Sequence, residues 1–496
     1  MMIKNILVTL SQQAAQHPEQ VAFDYLGRTN TYSELEKRSN SVANYLKTCH
    51  LTPKTPVMVY GGQTFDMLVA FIGCAKAGHA YIPVDTNSST DRLTSIMHTA
   101  EPELVIAVEP LPIKVVVPVT SLADLTNIYQ TLPTVFDEKT AIDDTFYIIF
   151  TSGTTGNPKG VQITQRNLLS FVNWMSTAFN FEKRNVLLQP PFSFDLSVMA
   201  LYPTLMNGGT LRVLPQTVTA NFSKMFTTLA SLPLQIWVST PSLVDICLLD
   251  PYFDDKHYPD LATFLFCGEE LTHQTASKLN ERFPQAHIIN TYGPTEATVA
   301  MTSVEITPEM LRTYDRLPIG YVKPGTQVTI DSSGVDEPGE IIIAGYNVSK
   351  GYLNNPAKTK NAFFETNGLQ AYCTGDLGYF DHDLLFYKGR VDFQIKLNGY
   401  RIELEEVNHF LSEVTLIKQG VAVPKYDRNH KVSQLLAVVV PKSPHEPSQM
   451  ALRQELNGKL MPYMVPQRFI FRETLPHNVN GKVDIKALIS EVNTHA

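Results

Sequence analysis

Short apolar runs alternate with amphipathic stretches along most of the chain. The runs Val57–Tyr60, Glu103–Val108, Phe146–Phe150, Ile236–Ser239, Thr263–Cys267 and Glu340–Ile343 are brief and continuous, which predicts buried strands. Between them lie segments such as Tyr32–Leu46, where Leu35, Val42 and Leu46 recur at roughly helical spacing. This alternation is the pattern of an α/β protein.

The last hundred or so residues read as a separate unit. Arg401–Leu411 predicts a helix, with Leu404, Val407, Phe410 and Leu411 along one face. Gly420–Pro424 and Leu435–Pro441 predict strands, and Ser448–Leu460 another helix. A compact α+β domain of this size is reasonable. The polar, glycine-containing stretch Lys388–Asp392 is the expected connection, giving a large domain over 1–391 and a small one over 392–496. No internal repeat or low-complexity tract interrupts the pattern.

Composition narrows the class. The chain has 496 residues, 44% of them apolar and 18% charged, so it can fold without a disulfide or structural metal. The net charge is 40 − 48 = −8, which argues against a general affinity for nucleic acid. The five cysteines are scattered without C-x-x-C spacing, as expected of reduced thiols in a cytoplasmic protein. No apolar run reaches the 18 or so residues of a membrane span. The apolar opening MMIKNILVTL runs into polar SQQAAQHPEQ without a small-residue cleavage site, so it is not read as a secretory signal.

The strongest candidate chemistry is Thr151-Ser-Gly-Thr-Thr-Gly-Asn-Pro-Lys-Gly160, directly after a predicted strand. Its glycines let the backbone turn and present N–H groups to a phosphate, its hydroxyls add donors, and Lys159 adds charge. It is not a Walker A loop: the lysine precedes its glycine, and Gly160–Thr164 predicts a strand rather than a helix. Taken alone, the segment reads equally well as a surface turn.

It is not alone. In order follow Pro191-Phe-Ser-Phe-Asp195, Asn290-Thr-Tyr-Gly-Pro-Thr-Glu296, Gly339–Gly345 with Gly351-Tyr-Leu353, Tyr372-Cys-Thr-Gly-Asp376, Gly389–Asp392 with Gly399–Glu403, Pro462–Pro466 and Asn480-Gly-Lys482. Cys74–Asp85 precedes them. By these motifs, which span nearly the whole chain, the protein resembles the adenylate-forming superfamily. Two departures, Phe393 after the hinge and Gly78-His79 for a more usual Gly-Gly, touch none of the proposed chemistry.

The resemblance implies a large adenylate-forming domain with several mixed sheets and a small, mobile α+β domain. It implies that ATP and Mg²⁺ are used to join a carboxylic acid to a thiol. Thr151, Ser152 and Lys159 would cradle the β- and γ-phosphates. Asn290, Thr291, Tyr292, Gly293, Pro294 and Thr295 would line the adenine and phosphate side, with Tyr387 a further nucleotide contact. Asp376 would hold the ribose and Arg390 a second nucleotide contact, while Glu296 would hold Mg²⁺. Lys482 would bridge the attacking carboxylate and the phosphate as the catalytic residue. Out of that context Lys482 is one more lysine near a turn, and Tyr292 an aromatic of the core.

Asp195 is placed to receive an ammonium, which must not be buried unpaired; this favours an amino acid over a fatty or aryl acid. An aspartate there also suits a helix N-cap. Cys267, in Phe266–Leu271, and Val299 would limit the side chain accepted, and a cysteine there also suits a plain buried core. Within the superfamily the resemblance is to the branch that activates D-alanine for D-alanylation of lipoteichoic acid in Gram-positive bacteria. Its partner would be a phosphopantetheinylated D-alanyl carrier protein. Another small amino acid, or coenzyme A as acceptor, remains an alternative, as does a non-catalytic nucleotide-binding relative. The family rotates its small domain between half-reactions, which makes Asp392 the expected pivot. Rotation would withdraw Lys482 and bring in the loop around Gly399 and Arg401. No direct membrane insertion is expected, and a monomer is the default.

Overall fold

The computed structural model describes residues 2–136, 140–153, 158–332, 334, 337–428, 431–443, 445–477 and 483–494. It is mixed α/β, and the predicted strands form where the apolar runs lie.

A six-stranded sheet carries the strands Val57–Tyr60 and Tyr81–Val84 at its centre, both buried throughout. Burial on both faces is why these strands read as continuous apolar runs rather than alternations. At its edge, Thr145–Thr151 pairs antiparallel with Lys159–Thr164, Thr151 opposite Lys159. The glycine-rich segment therefore joins two antiparallel strands, as the sequence predicts. A nine-stranded sheet holds Ile236–Ser239, Thr263–Phe266 and His287–Tyr292 side by side in parallel and in register. A five-stranded antiparallel sheet pairs Gly339–Gly345 with Leu369–Asp381, and the latter with Leu384–Arg390.

One continuous apolar core joins the N-terminal helices to the sheets. The helix Tyr32–Thr48 enters it through a capping box in which Thr31 and Glu34 satisfy each other's backbone N–H.

The small C-terminal part has its own two cores, on either face of the sheet Ile417–Tyr426, Val432–Pro441 and Arg468–Phe471. One expectation is corrected here. Arg401–Leu411 is not helical throughout: Tyr400–Glu403 is a strand paired with Gln394–Leu397, and the helix begins at Leu404. The reason is local. Asn398 and Gly399 both adopt positive φ, 52° and 83°, and form the tight turn of a β-hairpin. Asn-Gly favours that turn, and with it a paired strand through Glu403, more strongly than Arg401–Glu403 favour an added helical turn. The helix Gln449–Leu456 is also shorter than predicted.

Candidate functional site

Ends of elements from both sheets and from the hairpin converge on one cleft. Thr151, Ser152, Asp195, Gly293, Pro294, Thr295, Asp376 and Arg390 line it from the large domain. Lys396, Gly399 and Arg401 line it from the hairpin.

Sheet register builds the first constellation. Asp376 and Arg390 lie opposite each other on neighbouring antiparallel strands, so their side chains leave the same face. Arg390 Nη1 donates to Asp376 Oδ1 at 2.6 Å, and Tyr292 OH donates to Oδ2 at 2.6 Å. The same guanidinium donates to Asp392 through Nε and Nη2 at 2.6 and 2.7 Å. Burial works against the Asp392 carboxylate, but Arg390 outweighs it and holds the group below the usual range. Arg390 thus ties Asp376 to the expected pivot.

Glu296 sits in the short 3-10 turn Thr295–Ala297 and is completely buried. Tyr352 OH donates to its Oε1 at 2.9 Å, and Arg401 Nη1 to its Oε2 at 2.9 Å. Burial would raise its carboxyl, but the charges of Arg401 and Lys159 bring it down to about 2. Lys159 Nζ lies 5.1 Å from the centre of the Tyr352 ring. Burial, aided by repulsion from Arg401, lowers the Lys159 ammonium. The Thr151 hydroxyl and Arg401 Nε are buried with no hydrogen-bond partner among the described residues. Such donors in a cationic cleft await an anion.

Beside the cleft is a small pocket lined by Asn290, Thr291, Tyr292, Gly293 and Tyr387. The Tyr292 and Tyr387 rings lie 6.4 Å apart, giving it an aromatic wall. Asn290 Nδ2 is committed to Pro318 O and Thr291 Oγ1 to Phe266 O, both at 2.7 Å, so these side chains shape the wall. A Cβ at Gly293 would meet Ala300 Cα at 2.6 Å, so only glycine fits there.

Asp195 precedes the helix Leu196–Met206, but its side chain makes no capping bond. Capping therefore does not account for it. It faces the cleft, where burial raises its carboxyl and a bond with Thr295 opposes the rise. Cys267 is buried next to the cleft-lining Gly268, and its Sγ donates to Val299 O at 3.6 Å. Val299 is buried with φ 70°, and Thr298 has φ 60°, a left-handed pair rare for β-branched residues. Backbone strain of this kind concentrates at functional sites. Burial pushes the Cys267 thiol up, which suits a wall residue rather than a nucleophile.

Lys482 and Thr154–Asn157 of the glycine-rich segment lie outside the described residues. The loop expected to enter on rotation is in the cleft. Ser152 Oγ donates to Arg401 O at 2.9 Å, Gly153 N to Glu406 Oε2 at 3.2 Å, and Gly399 N to Glu269 Oε1 at 2.6 Å.

Some residues of this site were not singled out from the sequence. Lys396 brings its Nζ to 5.9 Å from the Tyr292 ring, Tyr352 anchors Glu296, and Glu403 and Glu406 face Lys159 and Gly153. Tyr352 and Glu403 lie within the motifs Gly351–Leu353 and Gly399–Glu403, whereas nothing in the sequence around Lys396 marks it.

Among the described residues there is no cluster of three His, Cys, Asp or Glu able to hold a metal alone. The single buried carboxylate of Glu296 instead suits a hard cation that takes most of its oxygens from water and from the phosphate to which the Thr151 hydroxyl would donate.

Known proteins share this architecture. The profile of the AMP-binding enzyme family matches residues 10–353, and that of the AMP-binding enzyme C-terminal domain matches 406–482. A D-alanine–D-alanyl carrier protein ligase of Lactiplantibacillus plantarum is 53% identical over 99% of this chain and 100% of its own. One of Streptococcus agalactiae is 49% identical over the same shares. Among solved structures, the Vibrio cholerae adenylation domain AlmE in complex with glycyl-adenosine-5'-phosphate superposes with a TM-score of 0.83 at 23% identity, covering 99% of this chain and 98% of that one. PA1221, which contains adenylation and PCP domains, gives 0.82 at 25% identity, over 98% and 84%. With the family profile covering most of its length and full-length relatives at about half identity, the chain belongs to the AMP-binding enzyme family of adenylate-forming enzymes.

Proposed function

We propose that the chain is an ATP-dependent ligase that activates D-alanine as D-alanyl-adenylate and loads it on a carrier protein. The acyl group passes to the phosphopantetheine thiol of a D-alanyl carrier protein, for D-alanylation of lipoteichoic acid. The observation that carries this reading is Asp195, a carboxylate in the cleft that caps no helix, in a chain whose full-length relatives bear that ligase's name.

In the first step a carboxylate oxygen of D-alanine attacks the α-phosphorus of ATP, and pyrophosphate leaves. Two anions must meet, so the work is positioning and charge neutralisation. Asp195 receives the ammonium, and Cys267 and Val299 bound the methyl group. Tyr292 and Tyr387 wall the adenine; Asp376, oriented by Tyr292 and Arg390, receives the ribose. Thr151, Ser152 and Lys159 hold the phosphates, and Lys482 neutralises charge between carboxylate and phosphate. Glu296 would hold Mg²⁺, which when bound neutralises phosphate charge. In the second step the thiol sulfur attacks the acyl carbon and AMP leaves. The arrangement with Arg401 in the cleft suits this step, reached by rotation about Asp392, with 1–391 and 392–496 as the moving parts.

No helix among the described residues is long and apolar enough to cross a membrane. A cytoplasmic monomer completes the proposal.

ATP–pyrophosphate exchange with D-alanine, L-alanine, D-serine, glycine and a short fatty acid tests it. The expected result is strong exchange with D-alanine over its mirror image, lost about a hundredfold or more in Lys482→Ala, as for a missing transition-state donor. Preference for an L-amino acid or a fatty acid overturns the substrate and the partner.

A further inference from the structure

Sharing no lining residue with the cleft, a groove of about 700 Å³ opens between the N-terminal segment, the helix Gln165–Ala178 and the turn at Pro324–Gly325. That volume is typical of small-ligand sites. Leu169 and Trp174 form its apolar bed. Three exposed large apolar side chains, Met2, Ile142 and Tyr346, stand around it, at 77%, 41% and 57% exposure. Apolar side chains gathered at one opening mark a contact site more often than chance scatter does.

A charged group lies directly behind its lining. Lys323, 3% exposed, immediately precedes the groove-lining Pro324. Its Nζ donates to the hydroxyl of groove-lining Ser170 at 2.7 Å. That is the ammonium's one hydrogen bond among the described residues, and burial acts on it there with no carboxylate opposing. An ammonium has three donors, so this one is under-satisfied. Burial alone brings it down to about 8, with no opposing carboxylate. The other cations differ: Arg166 is engaged with Asp143 and lies over Tyr346, and Lys4 is at the solvent edge. A lysine buried without a counter-charge is unfavourable unless an anion completes it.

We propose that this groove is a second binding site, taking an amphiphile with one carboxylate head and an unbranched apolar chain. The head pairs with Lys323 and Ser170, and the chain lies over Leu169 and Trp174. The acid-binding pocket of the cleft is separate, and this site does not depend on which acid that pocket activates.

Trp174 is a built-in reporter, since the chain's other tryptophan, Trp237, is buried in a different core. Decanoate and decan-1-ol, equal in chain and differing in charge, are titrated against the full chain by tryptophan fluorescence and calorimetry. Saturable binding of decanoate at least about tenfold tighter than the alcohol is expected, as for one charge-assisted pair. Saturating ATP and D-alanine are expected to leave it unchanged. In Lys323→Met, which keeps the apolar stem, the preference for decanoate is expected to vanish. Equal binding of acid and alcohol to the unmodified chain, displacement by ATP and D-alanine, or a preference retained in Lys323→Met overturns the proposal. The comparison on the unmodified chain decides even if the variant folds poorly.

Discussion

Arg401 of the hairpin donates to Glu296 at 2.9 Å, and Glu296 is completely buried. The guanidinium thus occupies the carboxylate proposed to hold Mg²⁺ in the first half-reaction. The guanidinium's positive charge stands beside the oxygen a cation would use, so like-charge repulsion sets the two states of the cleft against each other. Losing one member of such a buried pair typically costs about 3–5 kcal/mol. Because the carboxylate is the group proposed to act in the first step, Glu296→Gln is expected to lower ATP–pyrophosphate exchange about a hundredfold. Arg401→Ala is expected to leave exchange nearly intact and slow loading of the carrier at least about tenfold. Assaying the two half-reactions separately checks both, and equal loss of both in Arg401→Ala contradicts the assignment.

Asp195 offers its carboxylate to the cleft without serving its own helix. Asp195→Asn keeps the shape and removes the counter-charge for an ammonium. D-alanine activation is expected to fall about a hundredfold, mainly as a raised KM, with the thermal midpoint little changed. A normal KM would show that the ammonium is bound elsewhere.

Cys267 and Val299 meet at 3.6 Å, sulfur to carbonyl oxygen. Cys267→Ala opens space equal to about one heavy atom. Selectivity for D-alanine over D-2-aminobutyrate is expected to drop about tenfold, since one methylene in an apolar pocket is worth ~1–3 kcal/mol. Competition of the two substrates in exchange assays measures it.

Glu406 accepts from Gly153 N at 3.2 Å, joining the small domain to the glycine-rich segment. Burial raises its carboxyl to about 7, with Arg92 and the Gly153 bond opposing the rise. The docked arrangement therefore binds more protons than the undocked one between the ordinary glutamate range and about pH 7. Its stability falls as pH rises through that window, and the full penalty is present above it. Limited proteolysis of the domain junction across this range is expected to quicken with pH. In Glu406→Gln that pH dependence is expected to disappear; a slope unchanged in the variant would assign it to another group.

Asp392 is held by both arms of Arg390 and bonds the Gln394 N–H at 3.1 Å. Proline at 392 restricts the backbone torsion there. Asp392→Pro is expected to spare one half-reaction and depress the other. Equal loss of both would remove the pivot role.

The sequence carries the strand cores openly, because a strand buried on both faces is continuously apolar, as Val57–Tyr60 and nearly all of Ile236–Ser239 are. It also determined that the glycine-rich segment joins two strands, since Gly160–Thr164 has no helical period. The order of motifs carried the family, because each motif is a contiguous piece of chain.

What those pieces touch is set by the folded chain. That Arg390 bridges Asp376 and Asp392 depends on strand register, which a contiguous motif does not state. The shared face of Leu404, Val407, Phe410 and Leu411 predicts a helix that includes Arg401. The Asn398-Gly399 turn instead sends it along a strand into the cleft, against Glu296, more than a hundred residues away. Lys323 gave no sign at all, since burial without a counter-charge is a property of the packing around a residue. Local pattern fixes local conformation through backbone preference and burial. Charge pairing and cleft shape arise from contacts distant in sequence, and these exist only once the chain is folded.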